Sequence, residues 1–221
     1  FLGTAESPRA FVELQRLLRF QAEEPESASA HAAVATWYRD QGNPTLAMQT
    51  LDLIDHQSSA DSDTFYLATW ISVLLDSGEF DAALKVMHSW PNPREGYEYW
   101  KWSGIVESEV VRNDEAAVEA FLKAASVWPG HSDASLQHRL TNCLIRLDRS
   151  DQADLHRQDA KRVDSLMELD LHADLRRQLT DLRAADQLKK VASFYTELGR
   201  EWEAGEWARI VVDQSHRLVS N

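Results

Sequence analysis

The chain has 221 residues and a net charge of −13, with 36 acidic side chains against 23 Lys and Arg, a balance that excludes a protein held on DNA or RNA by its charge. A single cysteine, Cys143, excludes an intrachain disulfide framework and a four-cysteine zinc site. A hydrophobic fraction of 43% with 8 Trp, 5 Tyr and 7 Phe excludes a disordered acidic chain, and 8 Gly and 6 Pro are too few for low-complexity sequence.

In chain order, Ser7-Pro8 pairs a capping residue with Pro at the first helical position, and Phe11, Leu14, Leu17 and Leu18 recur at three and four. They predict a helix over about 8–24. A second helix ends at Gly42, where the left-handed conformation of a helix C-terminus suits glycine, and Asn43-Pro44 starts the third. Asp61-Ser62-Asp63 lacks the Gly and terminal Glu of a calcium loop and reads as a surface turn. Gly78 ends another helix. Trp90, Tyr97, Tyr99, Trp100 and Trp102 then follow closely. Helix neighbours differ by about 100°, so these rings do not all face one core. Some pack on Trp90-Pro91-Asn92-Pro93 or contact a ligand.

Further on, Phe121, Ala124, Ala125 and Trp128 mark an amphipathic helix, preceded by a polar turn at Arg112-Asn113. Cys143, beside Leu144 and Ile145, reads as a buried small residue. Asp148, Asp151, Asp154 and Asp159 read as a solvated helix start, favoured by the helix dipole. No Gly or Pro occurs between His131 and Leu198, yet Val163, Leu166, Met167, Leu171, Leu175, Leu179 and Leu182 keep helical spacing. Either one helix there is long or an extra one is inserted. The stripe over 163–182 needs a cover, which is neighbouring helices, a second copy or a partner. Gly199 ends the penultimate helix. Strand-like alternation and Asn-Gly or Asp-Gly hairpin signals are missing, so the chain reads as all-α, with about eleven helices.

No motif calls for catalysis, a metal or a cofactor. The eight histidines (31, 56, 88, 131, 138, 156, 172, 216) include no pair at three to five residues, and there is no HExxH, no GxSxG and no Gly-rich phosphate loop. No apolar run approaches the roughly 18 residues of a membrane span. The start at Phe1 without Met reads as a segment of a longer protein or a processed product, and the compartment expected is the cytoplasm, with an exported parent as the alternative.

Spacing is more informative than any single motif. Gly42, Gly78 and Gly199 each precede an alanine by five residues (Ala47, Ala83, Ala204), and Ala117 and Ala153 follow the turns at Arg112-Asn113 and Asp148-Arg149. Three successive intervals are 36, 34 and 36 residues and the last is 51, so the period is that of a helix–turn–helix repeat. The residues fall into five sets: Ala35, Tyr38, Gly42, Ala47, Leu51; Leu67, Leu74, Gly78, Phe80, Ala83, Met87; Trp100, Gly104, Ala117, Phe121, Ala124, Pro129; Leu140, Leu144, Ala153; and Ala192, Tyr195, Gly199, Ala204. This pattern resembles the tetratricopeptide repeat (TPR) family over roughly 28–213.

The resemblance implies a single TPR-like domain over 1–221, a right-handed superhelical solenoid of antiparallel helix pairs with about five repeats. Regular repeats run over about 28–130, a divergent or elongated one over 131–183 and a last one over 184–213. It gives Trp100 a core position. It also implies a non-catalytic interaction module whose first helices line a concave groove. By the family's register the groove positions are Thr36, Arg39 and Asp40; Phe65, Ser72, Leu75 and Asp76; Glu98, Lys101, Ile105 and Glu109; His138, Asn142 and Arg146; and Lys189, Ser193 and Glu197. The family's clamp for acidic C-terminal tails is matched only by Asn142 with Arg146. Residues 1–100 hold 15 acidic and 6 basic side chains, so the partner expected is a basic or amphipathic peptide segment, with no nucleic acid and no membrane insertion. The stretch from Leu198 to Trp207 resembles TPR segments of large bacterial proteins with ASPIC-type C-terminal domains, which implies the alternative of a regulatory or assembly region in a larger multidomain protein.

Overall fold

A left-handed residue five positions ahead of a buried alanine is the recurring local unit. In a computed structural model that describes residues 8–54, 63–166 and 185–219, Gly42, Gly78, Arg112, Asp148 and Gly199 all have φ between 58° and 77°. Each lies in the turn between two helices and precedes Ala47, Ala83, Ala117, Ala153 or Ala204, whose exposures run from 0% to 7%. Two antiparallel helices leaving so tight a turn meet at once, and only a small side chain fits between them.

Among the described residues the helices are α1 (Pro8–Glu23), α2 (Ala28–Asp40), α3 (Pro44–Leu51), α4 (Thr64–Asp76), α5 (Phe80–His88), α6 (Gly96–Val106), α7 (Asp114–Ala125), α8 (Ala134–Arg146), α9 (Ser150–Leu166), α10 (Ala185–Glu197) and α11 (Glu201–Val219). No strand occurs among the described residues. The pairs α2–α3, α4–α5, α6–α7, α8–α9 and α10–α11 each flank one left-handed turn. Polar caps start the helices. Asn43 accepts from the Leu46 N–H, with Pro44 in the first helical turn. Asp63 accepts from the N–H groups of Phe65 and Tyr66, and Asp133 from that of Leu136. Ser7, Asp61 and Ser62 lie outside the described residues.

Four turns close alike, the residue after the left-handed one donating to a carbonyl five positions back, as from Asn43 to Tyr38 O (2.9 Å) and from Arg149 to Leu144 O (2.9 Å). The third turn differs. Here α6 runs into a π-helical turn, Glu107–Val111, and Asn113 N–H reaches six residues back to Glu107 O at 2.9 Å. One extra residue is thereby absorbed. This shifts the first helix of the third pair by one position against its turn.

The chain divides into two compact units after Ala120, within α7. The core of the first unit joins Ala28, Ala32, Ala35, Ala47, Leu51, Tyr66, Ile71, Val73, Leu74, Ala83 and Met87 with Trp90 and Val106. Its largest buried ring, Tyr66, keeps its hydroxyl satisfied by donating to Leu51 O at 3.0 Å. That bond sets the end of α3 beside the first turn of α4. In the second unit Leu136, Leu140, Leu144, Cys143, Ala153, Ala160, Val163 and Leu166 are buried from α8 and α9, and Leu188 and Val191 from α10.

Chain direction distinguishes the last pair. In the first unit, α2 and α4 run in the same sense: Ser29 donates to Asp63, Thr36 meets Thr69, and Arg39 meets Ser72. In the second unit the lead-in to α8 meets the far end of α10. His131 Nε2 lies 2.8 Å from Gly199 O, Ser132 donates to Leu198 O, and Arg162 near the end of α9 donates to Glu197 O. The end of α10 therefore sits where, in the first unit's order, a helix would begin. The 51-residue interval between Ala153 and Ala204 is where this change of sense arises. Most of the stripe over 163–182 falls outside the described residues; Val163 and Leu166 at its start are buried.

Candidate functional site

The first helices of the first unit meet along a seam of small and polar side chains. Ala32 (0%) and Ala68 (4%) let α2 and α4 approach closely. Thr36 Oγ1 and Thr69 Oγ1 stand 3.4 Å apart. Ser72, 4% exposed, donates to Thr69 O at 2.7 Å and accepts from Arg39 Nη1 at 2.7 Å. Of the groove residues the resemblance singled out, Thr36, Arg39, Asp40, Ser72 and Asp76 thus come together, but Ser72 is a buried strut rather than a surface contact. Thr69 and the Ser29–Asp63 pair were not foreseen. Their signal is the recurrence of polar residues 33 or 34 apart, the repeat period itself.

Charge at this seam is one-sided. Arg39 lies between two carboxylates, with Nη2 2.7 Å from Asp40 Oδ1 and Nε 3.9 Å from Asp76 Oδ2. Both aspartates are more than half exposed, and Arg39 is 26% exposed. One guanidinium against two carboxylates leaves an excess of negative charge facing solvent. Phe65, 43% exposed, begins the same wall.

The third first helix, α6, brings aromatic rings. Lys101 Nζ donates to Tyr97 OH at 3.0 Å and lies 5.3 Å from the centre of that ring. Tyr99 meets Trp90 edge-on at 5.8 Å and Trp100 at 4.8 Å. Tyr99 and Trp102 pack on the first unit's core, and all three of Tyr99, Trp100 and Trp102 are half-buried. The π-turn shifts this helix by one position against its turn. Glu109 is half-buried within that turn, and Ile105 is buried at 3%.

In the second unit the remaining candidates stand apart. His138 Nε2 is 3.0 Å from Asp164 Oδ2. Asn142 is exposed, and Arg146 Nη2 lies 3.1 Å from the buried Cys143 Sγ. Lys189 pairs with Asp186 at 3.6 Å on α10, where Ser193 Oγ lies 3.3 Å from Glu197 Oε1. Burial lowers the His156 pKa from its ordinary value, opposed by Asp159, while the ring's Nδ1 holds the buried Gln137 at 2.9 Å. The Arg200 guanidinium, hydrogen-bonded to Glu203, holds that carboxyl below the usual range. Arg200 also stacks 4.5 Å over Trp128 and 5.1 Å over Tyr195. These contacts tie the loop before α8 to the turn after α10, so they serve the fold of the unit.

No protein-family model matches the chain, and no curated protein matches it. Among solved structures, one crystal structure of MamA protein superposes with a TM-score of 0.49 at 11% identity, over 89% of this chain and 96% of that one. A crystal structure of MamA, a TPR-like helical repeat protein, superposes with a TM-score of 0.50 at 15% identity, over 69% of this chain and 86% of that one. At that identity the likeness is one of fold, and the fold is an all-α, TPR-like succession of helix pairs.

Proposed function

We propose that the chain is a non-catalytic protein–protein interaction module whose first unit binds a basic peptide segment along the seam of α2, α4 and α6. The supporting observation is the arrangement at Arg39: its charge is matched twice over by Asp40 and Asp76, on a wall where Phe65 offers an exposed aromatic surface. A Lys or Arg from a partner gains two carboxylates there without displacing the Arg39–Ser72 strut, and Phe65, about 16 Å away at the start of α4, gives apolar contact to a segment that runs the length of the seam. The acidic excess of the first hundred residues draws such a segment in.

Fluorescence anisotropy with labelled amphipathic peptides of basic, neutral and acidic composition tests this. The basic peptide is expected to bind, with affinity falling about tenfold when Asp40→Lys and Asp76→Lys are combined and falling further as salt is raised. Equal binding of all three peptides, or indifference to those substitutions, sinks the reading.

A further inference from the structure

We propose that the seam takes an arginine rather than a lysine from its partner, that Asp76 receives it as a two-pronged pair, and that Ser72 is the positioning residue that keeps Asp76 open. This rests on the reading of the seam as a basic-peptide site and names the side chain it selects.

Asp40 and Asp76 are the last residues of α2 and α4, at the negative ends of the helix dipoles, where a carboxylate costs stability. Their placement breaks a local rule without helping either helix, as residues kept for a ligand do. The backbone acceptors beside them are already used. Trp37 O, Tyr38 O and Arg39 O accept from the N–H groups of Gln41, Asn43 and Gly42, and Val73 O, Leu74 O and Leu75 O from those of Ser77, Glu79 and Gly78. Carboxylate oxygens are what this end of the seam offers a cation.

The two carboxylates are not equivalent. Arg39 spends both Nε (3.1 Å) and Nη2 (2.7 Å) on one oxygen, Asp40 Oδ1. Its Nη1 donates to Ser72 Oγ at 2.7 Å, and the hydroxyl proton of Ser72 is committed to Thr69 O, which leaves the lone pairs of Oγ for the guanidinium. With all three nitrogens engaged, Arg39 stays 3.9 Å from Asp76 Oδ2, too long for a hydrogen bond. Asp76 is 58% exposed and, among the described residues, keeps both oxygens open.

Two open oxygens of one carboxylate match two parallel N–H groups of a guanidinium. A lysine ammonium is a point charge whose three donors diverge, so it holds one such oxygen and turns the rest to water. It is also the more strongly hydrated of the two cations and loses more on entering the site. With the partner's arginine in place, two guanidinium groups balance Asp40 and Asp76.

Fluorescence anisotropy with one labelled amphipathic peptide, its basic residues either all Arg or all Lys, tests the proposal. The Arg form is expected to bind about fivefold tighter. Asp76→Asn is expected to bring that ratio to one. Asp40→Asn weakens both forms and leaves the ratio, because the amide oxygen still accepts from Arg39. Ser72→Ala releases Arg39 towards Asp76 and lowers the ratio, whereas a serine that only supported the fold would shift both affinities together. Circular dichroism melts verify that each variant keeps its helices. Equal binding of the two forms overturns the arginine proposal and leaves the basic-peptide reading standing, while binding of neither form removes both. A preference for Arg that survives Asp76→Asn overturns the assignment to Asp76, and one that survives Ser72→Ala overturns the role of Ser72.

Discussion

Gly78 and Gly199 share a backbone conformation but not their surroundings, and alanine at each position separates the two effects. At Gly78, φ is +77° and a Cβ meets nothing. Gly78→Ala therefore carries only the left-handed strain, about 1–2 kcal/mol. At Gly199, φ is +74° and a Cβ would stand 2.5 Å from His131 Cδ2. His131 must then swing away and lose its 2.8 Å hydrogen bond to Gly199 O. Gly199→Ala is expected to cost more than Gly78→Ala by about 1 kcal/mol in paired urea melts, and equal losses would count against the described position of His131. These glycines were legible because their residue type is rare and conformationally specific. Arg112 and Asp148 were legible only through the alanines that follow, since neither type announces a left-handed backbone.

Among elements, the helix pairs depend on a small residue where they cross. Ala83 is fully buried between α4 and α5. Ala83→Leu is expected to destabilise the chain by about 1–3 kcal/mol by overpacking, read as a lower urea midpoint, whereas Leu at the 71%-exposed position 53 is already tolerated. A midpoint unchanged by Ala83→Leu would mean that the crossing is looser than described. The pairing of helices could be read from intervals of 34 to 36 residues because turn chemistry and close packing both leave marks in residue type. The π-turn at Glu107–Val111 leaves none: its five residues are ordinary helix formers, and its signature is a hydrogen bond one residue longer. Burial of Ser72 was likewise hidden, because serine at a surface register is indistinguishable from serine holding an arginine.

At the scale of the whole molecule, each compact unit has its own buried side chains. Leu140, on α8 in the second unit, is fully buried. Leu140→Ala is expected to cost about 2–5 kcal/mol. In hydrogen exchange the amides of α8 and α9 are expected to lose protection first, since repeat folds open in segments rather than all at once. Loss of protection in α2 and α4 at the same rate would show a single cooperative unit instead.

The opposite sense of the last helix pair has a consequence for growth. Pairs set down in one sense are related by translation along the array, and translation by itself supplies no last member. Once the end of α10 occupies the place of a helix start, that operation no longer maps one pair onto the next. Reversal of direction thus breaks the repeat operation inside the second unit, between α8–α9 and α10–α11.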